Sequence, residues 1–203
     1  ISVLDYIITL LKEVEEIDEI VLGISNGIEN KVFAEIAKKH SINFIFGDET
    51  DVLMRLIKCC EHSKGTDIFR MTTESPFVMY EYIKDAWTQH IHFNSDLTAI
   101  DNVPDGSGFE IIKLSAYKES WANGASRHRS ELCSLYIREN KKDFQIKFIN
   151  VDHVYNRTDI RLTVDYPEDL VLLRSIYEEF KPLYPKIPVH KIIKYLDNNP
   201  ELN

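Results

Sequence analysis

The ten residues Arg161 to Leu170, RLTVDYPEDL, decide how the rest of the chain is read. Ile160, Leu162 and Val164 alternate as strand residues do, and the alternation ends in an acid, Asp165. Pro167 suits a first helical turn, and Glu168 stands three residues after Asp165, the spacing of a capping box. A strand running into a helix start is half of a βαβ unit. Open α/β sheets bind ligands outside the carboxyl ends of their strands, which is where Asp165 falls. Asp is equally a favoured helix cap. The spacing alone leaves both readings open, a cap and a ligand-holding acid.

Upstream, the same punctuation recurs. Val3, Leu4, Ile7, Ile8, Leu11 and Val14 fall at helical spacing. Ile20-Val21-Leu22-Gly23-Ile24 is a continuous apolar run, the mark of a strand buried on both faces of a parallel sheet, and it ends in the turn Ser25-Asn26-Gly27. A helix with Val32, Phe33, Ile36 and Ala37 follows, then a strand at Phe44–Phe46. A third helix carries Val52, Leu53, Leu56, Ile57 and Cys60, and a strand follows at Ile68–Met71. Strands alternating with helices of this length predict βαβ units with right-handed crossovers in a doubly wound α/β sheet. After Pro76 a helix is expected to run to about Gln89.

The pattern changes in the middle third. Leu97–Ile100 and Phe109–Leu114 read as strands around the turn-rich Asn102–Gly108, with short helices expected at Tyr117–Trp121 and Arg127–Asn140. Phe144, Ile146 and Phe148 alternate with polar residues, which predicts a strand with one wet face and antiparallel neighbours. Residues 94–143 are expected to form an insertion or edge arm within a single domain spanning 1–203. Pro182, Pro185 and Pro188 lead stiffly into a last helix, Val189 to Leu196.

Composition excludes several classes of function. The 203 residues are 44% hydrophobic, enough for a sizeable core. With 24 Lys and Arg against 33 Asp and Glu, the net charge of −9 argues against a nucleic-acid backbone as partner. No apolar run approaches the roughly 20 residues of a membrane span, and no signal peptide is visible, so a cytoplasmic protein is expected. Cys59, Cys60 and Cys133 form neither a disulfide framework nor a metal pattern.

Glu74, in Arg70-Met71-Thr72-Thr73-Glu74-Ser75-Pro76, is a second acid just beyond a strand end. It reads either as a helix-start residue or as one of two acids converging on a cleft, the number that Mg²⁺ takes alongside substrate phosphates. Arg55, Arg70 and Arg161 lie near strand ends or helix starts, where a guanidinium suits phosphate or carboxylate. Arg127, His128, Arg129, Arg138, Lys141 and Lys142 form a basic group on an acidic chain, either a solvated helix face or an anion site. His90 and His92 would share one face of a strand, but no third ligand accompanies them, against the three or four that zinc takes. No Ser/His/Asp or Cys/His arrangement and no DxD pair stands out.

IDEIVLGIS (17–25), DVLMR (51–55), RMTTESP (70–76), PDGSGFE (104–110), YIREN (136–140) and RLTVDYPEDL (161–170), in this order, resemble the cytidylyltransferase family of CMP-ulosonic acid synthetases. The similarity is greatest to its spore coat polysaccharide biosynthesis protein F branch. It implies a nucleotide-diphosphosugar-transferase-like, Rossmann-like three-layer sandwich with a mixed, mainly parallel sheet and a middle β/α arm. It implies transfer of CMP from CTP to an acidic sugar or related acceptor, with Mg²⁺ held by the acids matched here by Glu74 and Asp165. Ser25, Asp51, Arg55, Arg70 and Thr72 would lie near the nucleotide, and Gly106, Glu110 and Arg161 near the acceptor. The family also implies a homodimer through the middle arm. Thr73-Glu74 departs from the family's Gly-Asp and lengthens the acid by one methylene. The family's first strand and its basic phosphate loop are expected ahead of Ile1, and residues 1–203 by themselves are expected to fold without transferring CMP. A catalytically inactive binding or regulatory subunit is the competing reading, and a sugar-nucleotide-dependent glycosyltransferase a third.

Overall fold

The computed structural model describes residues 1–202. In order, the elements are α1 (Val3–Leu11), β1 (Val21–Ser25), α2 (Lys31–Lys39), β2 (Asn43–Gly47), α3 (Val52–His62), β3 (Asp67–Arg70) and α4 (Ile83–His92). They continue with β4 (Leu97–Ala99), β5 (Glu110–Lys113), α5 (Leu114–Asn123), α6 (Leu135–Glu139), β6 (Ile146–Phe148), α7 (Pro167–Phe180) and α8 (Val189–Asn198). Local chemistry starts the helices. The Ser2 hydroxyl accepts the Asp5 N–H at 3.0 Å while the Asp5 carboxylate accepts the Ser2 N–H at 3.2 Å, a reciprocal box that opens α1. Asp51 caps α3 by accepting the Met54 N–H at 2.9 Å.

The strands form two sheets. β1 pairs parallel with β2, and the other four lie in the order β3-β5-β4-β6. β5 is the reversed strand, antiparallel to both β3 and β4, while β4 and β6 are parallel. Successive residues of β5 face opposite layers, as a pleated strand requires. Ile111 joins a core built largely from α1, Phe77–Met79, α4, α7 and α8, and Ile112 joins a second core with Leu53, Ile57, Tyr117, Cys133 and Ile137. This is the expected mixed α/β sandwich.

Four local expectations change. β6 is parallel, not antiparallel: it is the outermost strand, and an edge exposes residues such as Phe148 whatever its direction. Ile160–Val164 is no strand. One bridge, Asp105 to Arg161, is all the pairing it makes, and the alternation reflects Ile160 and Leu162 entering the core. No helix follows Pro76 directly, because Phe77, Val78 and Met79 are all buried in succession, which one helix face cannot achieve. α4 starts only at Ile83 and carries His90 and His92 in its last turn. The helix expected over 127–140 is a 3₁₀ turn at Ser126–Arg129 followed by the short α6. The segment 94–143 contributes β4 and β5, and β5 lies inside the four-stranded sheet.

Candidate active site

The carboxyl ends of β1, β2 and β3 deliver Ser25, the loop after Gly47, and Arg70. Reversed β5 begins at Glu110, whose register partners are Arg70 and Ala99, the last residues of β3 and β4.

Past β3 the chain makes a turn at Thr73-Glu74 and is strapped to the segment before α7. The Val164 N–H donates to the Glu74 carbonyl at 3.1 Å, and the hydroxyls of Thr72, Ser75 and Thr163 form a chain with spacings of 3.1 and 3.2 Å. Glu74 and Asp165, 91 positions apart in sequence, thereby stand on adjacent backbone segments. Neither is a helix cap. Asp169 caps α7 instead, accepting the N–H groups of Asp165 at 2.7 Å and Tyr166 at 2.8 Å. Those two N–H donors, with Arg161 adding to them, hold the Asp169 carboxyl below its ordinary value. The expected Asp165–Glu168 box is therefore shifted by one residue. Asp169 stands three positions after Tyr166, so the shifted register was available in the sequence, but an aromatic is a poor cap and hid it.

Relieved of capping, the Asp165 carboxylate is 53% exposed and meets Arg161. The same guanidinium lies 3.7 Å from Asp105 and 3.5 Å from Asp169, so it ties three acids together. Gly106 belongs to this cluster through its backbone. Its φ is +82°, and a Cβ there would sit 3.0 Å from the Leu162 carbonyl and from Thr163. Gly106, Arg161 and Asp165 thus gather in one place, with the Glu74 backbone strapped next to Asp165 through Val164.

A second group forms at the end of β2. The Arg55 stem packs against Gly47, where a Cβ would approach its Cγ to 3.0 Å, and its guanidinium donates to the Asp48 carbonyl at 2.7 Å. Asp51 uses one oxygen on the α3 cap and the other to accept the Trp121 indole N–H at 2.8 Å. Gly47, Asp48, Asp51 and Arg55 line a cavity of about 390 Å³ together with Lys58 and Arg129. Ser25 accepts from the Asn30 amide at 2.9 Å.

Glu110 is not with Gly106 and Arg161. Its side chain is 12% exposed and points inward, where Ser134 donates at 2.6 Å and Arg138 at 2.8 Å, with Arg70 at 3.5 Å from its other oxygen. Two guanidinium groups outbid solvent for this carboxylate. Arg70 also donates to the Glu131 carbonyl at 2.7 Å, which links β3 to the loop before α6.

The basic group is mostly spoken for. Arg127 forks onto Glu139 at 2.6 and 2.7 Å and His128 meets it at 3.0 Å, which holds the Glu139 carboxyl down at about 2. Arg138 is shared between Asp101 and Glu110. Arg129 stacks on Trp121 at 4.6 Å and faces the cavity. His90 is fully buried between Thr98, at 2.8 Å, and Asp67, at 3.1 Å, a structural histidine and no metal ligand. The three cysteines are free and buried, and burial pushes each thiol up to about 11.

Among the described residues, no three or more His, Cys, Asp or Glu side chains are grouped to hold a metal by themselves. Two acids such as Glu74 and Asp165 match in number and donor type an ion that takes one or two carboxylates and completes its shell with water and substrate phosphate, as Mg²⁺ does. Among the described residues no helix is long and apolar enough to cross a membrane.

No family model matches the chain. It is 25% identical over 185 residues to the spore coat polysaccharide biosynthesis protein SpsF of Bacillus subtilis, covering 91% of this chain and 77% of that protein. A cytidylyltransferase from Leptospira borgpetersenii superposes with a TM-score of 0.89 at 19% identity, covering 99% of this chain and 85% of that one. CMP:2-keto-3-deoxy-manno-octonic acid synthetase, solved with CTP, superposes with a TM-score of 0.60 at 9% identity, over 87% and 88% of the two chains. In sequence the chain is similar to the spore coat polysaccharide biosynthesis protein SpsF, and in fold to cytidylyltransferases, CMP:2-keto-3-deoxy-manno-octonic acid synthetase among them.

Proposed function

We propose that the protein is a Mg²⁺-dependent cytidylyltransferase of surface or spore polysaccharide biosynthesis, cytoplasmic and homodimeric through its middle segment. It would transfer CMP from CTP to an acidic sugar or related acceptor. An acceptor hydroxyl oxygen bonds to the α-phosphorus of CTP and gives up its proton to solvent as the bond from that phosphorus to the α–β bridging oxygen breaks, and the electron pair leaves with pyrophosphate. The observation that supports this reading is the Val164–Glu74 backbone hydrogen bond, which brings the backbone segments that carry Glu74 and Asp165 together past the end of β3. Glu74 and Asp165 would hold Mg²⁺, which when bound neutralises phosphate charge.

The protein's own residues account for the rest. Arg161 holds Asp165 in place and keeps a cation next to it. Gly106 lets the Asp105 loop approach the Leu162 backbone closely enough to seat Arg161. Ser25, Asp51, Arg55, Arg70 and Thr72 belong to the nucleotide side, with the cavity beside Arg55 and Arg129 as the place for its polar groups. Glu110 supports that side from within by fixing Arg70 and Arg138.

The test is pyrophosphate release by the full gene product with CTP, Mg²⁺ and a panel of acidic sugars. Release with CTP that depends on the acceptor and is at least about a hundredfold weaker with ATP or GTP is expected, because a wrong base leaves buried hydrogen-bonding groups unpaired. Equal release with all three nucleotides, or none with any acidic sugar, overturns the reading.

A further inference from the structure

Two adjacent side chains of α6, Arg138 and Glu139, lead to two arginines on the nucleotide side of the candidate site. Arg138 holds Glu110, whose other oxygen lies 3.5 Å from Arg70. Glu139 holds His128, in the 3₁₀ turn Ser126–Arg129. The geometry fixes what His128 does. The Ala125 N–H lies 2.8 Å from its Nδ1, and a backbone N–H can only donate, so Nδ1 is the acceptor and carries no proton. The proton is therefore on Nε2, which donates to the Glu139 carboxylate at 3.0 Å. The ring is buried and packs edge-on to Tyr136 at 5.3 Å. Its side chain reaches back to the N–H three residues earlier, as the third helical residue of a capping box does. Bonded on both nitrogens, His128 clamps the turn between Ala125, just past α5, and α6.

What the clamp holds is the next residue. Arg129 lies over the Trp121 ring at 4.6 Å and donates to the Trp121 carbonyl at 3.2 Å. Trp121 in turn donates its indole N–H to Asp51 at 2.8 Å. The Nε of Arg129 is buried and has no hydrogen-bond partner among the described residues. A buried donor left unpaired is costly. This one belongs to a guanidinium on the wall of the 390 Å³ cavity that Arg55 and Lys58 also line. The two acids of that wall are already engaged. Asp48 accepts the N–H groups of Thr50 and Asp51, and Asp51 accepts those of Met54 and Trp121. The cavity is left with cationic donors to offer a ligand.

We propose that His128, held by Glu139, is a positioning residue for Arg129, and that Arg129, so placed, donates to a phosphate-bearing nucleotide in this cavity. This rests on the cytidylyltransferase reading, in which the cavity belongs to the nucleotide. Arg129 lies outside every stretch of sequence that pointed to that reading, and its place at the wall comes from three contacts made across the fold, to Trp121, and through His128 to Ala125 and Glu139. A guanidinium flat on an indole keeps its edge free for oxygen acceptors, which is how arginine serves phosphate.

Two measurements on the full gene product test this. One is the dissociation constant of CTP with Mg²⁺; the other, made without nucleotide, is acrylamide quenching of Trp121, taken as the difference from a Trp121→Phe variant. His128→Phe keeps a buried ring but neither accepts nor donates. It should open Trp121 to acrylamide and weaken CTP binding at least about tenfold, the scale of one lost hydrogen bond to a charged group. His128→Gln should restore both, because Gln reaches back to the same N–H. Arg129→Gln leaves the clamp in place and should weaken CTP by a similar factor. CTP binding like the wild type in His128→Phe or in Arg129→Gln overturns the proposal, as does unchanged quenching in His128→Phe or no recovery in His128→Gln. Any of these in a protein that still releases pyrophosphate leaves the proposed function standing, whereas a wild type that binds no CTP overturns the function as well.

Discussion

Replacing Gly106 by Ala tests the geometry that seats the acid cluster. Gly106 has a φ of +82°, and the added Cβ would lie 3.0 Å from the Leu162 carbonyl carbon and oxygen and from the Thr163 Cβ. The left-handed backbone costs a side-chain-bearing residue roughly 1–2 kcal/mol. Crowding in a packed interior adds about 1–3 kcal/mol, and here the opposing atoms are mostly backbone and cannot turn aside. Together the two effects destabilise by about 2–5 kcal/mol, and each kcal/mol lowers the melting temperature of a domain this size by about 2–4 °C. Gly106→Ala should therefore melt some 4–20 °C below the wild type in a calorimetric scan. Gly106→Asn separates the two causes, since Asn tolerates the left-handed region but still carries the Cβ. The same push displaces Asp105 from its bridge to Arg161, so turnover should drop at temperatures where the variant is still folded. A melting point within about 1 °C of the wild type would refute the reasoning.

Other perturbations have equally definite outcomes. Asp165→Asn should reduce turnover at least about a hundredfold while leaving the melting temperature nearly unchanged, because the α7 cap belongs to Asp169; near-normal activity would remove Asp165 from the metal site. His90→Ala strands the Thr98 hydroxyl and the Asp67 carboxylate in the interior and should cost about 2–4 kcal/mol in urea unfolding, whereas a loss under about 1 kcal/mol would show that water replaces the ring. Glu139 is ionised in the fold down to about 2 against an ordinary 4.5, so its pair with Arg127 and His128 stabilises fully above the unfolded value and is lost as pH falls between these two. Glu139→Gln should flatten the decline of the urea midpoint across that window, and a slope identical to the wild type would contradict the pairing. Cys133, fully buried with its thiol pushed up to about 11, should resist alkylation at pH 8 until the protein unfolds; rapid labelling of the native protein would sink that expectation.

Much of this protein is determined locally and could be read in its sequence. Ser2 and Asp5, or Asp51 ahead of Val52, start helices with side chains a few residues apart, and the apolar periodicities of α1 to α3 and of β1 to β3 need no partner to be recognised. The acids Glu74 and Asp165 stand out because each lies just past an apolar run and two residues ahead of a proline. What depends on partners distant in the chain was decided only by the tertiary structure. Alternation at Ile160–Val164 marked burial, but a ladder needs a neighbouring strand, and among the described residues the segment meets one bridge partner, Asp105, and a single backbone bond to Glu74. The direction of β6 is set by which strand it meets at the edge, which its side chains do not encode. Glu110 turned inward because Arg70 and Arg138, 40 and 28 positions away, converge on it, and Arg138 gives its carboxylate a charge-assisted hydrogen bond there. The cap of α7 passed from Asp165 to Asp169 because Arg161 gathers Asp105, Asp165 and Asp169 into one cluster. Spacing in a sequence limits which side chains can meet locally, whereas charge and backbone pairing across the fold settle which of them do.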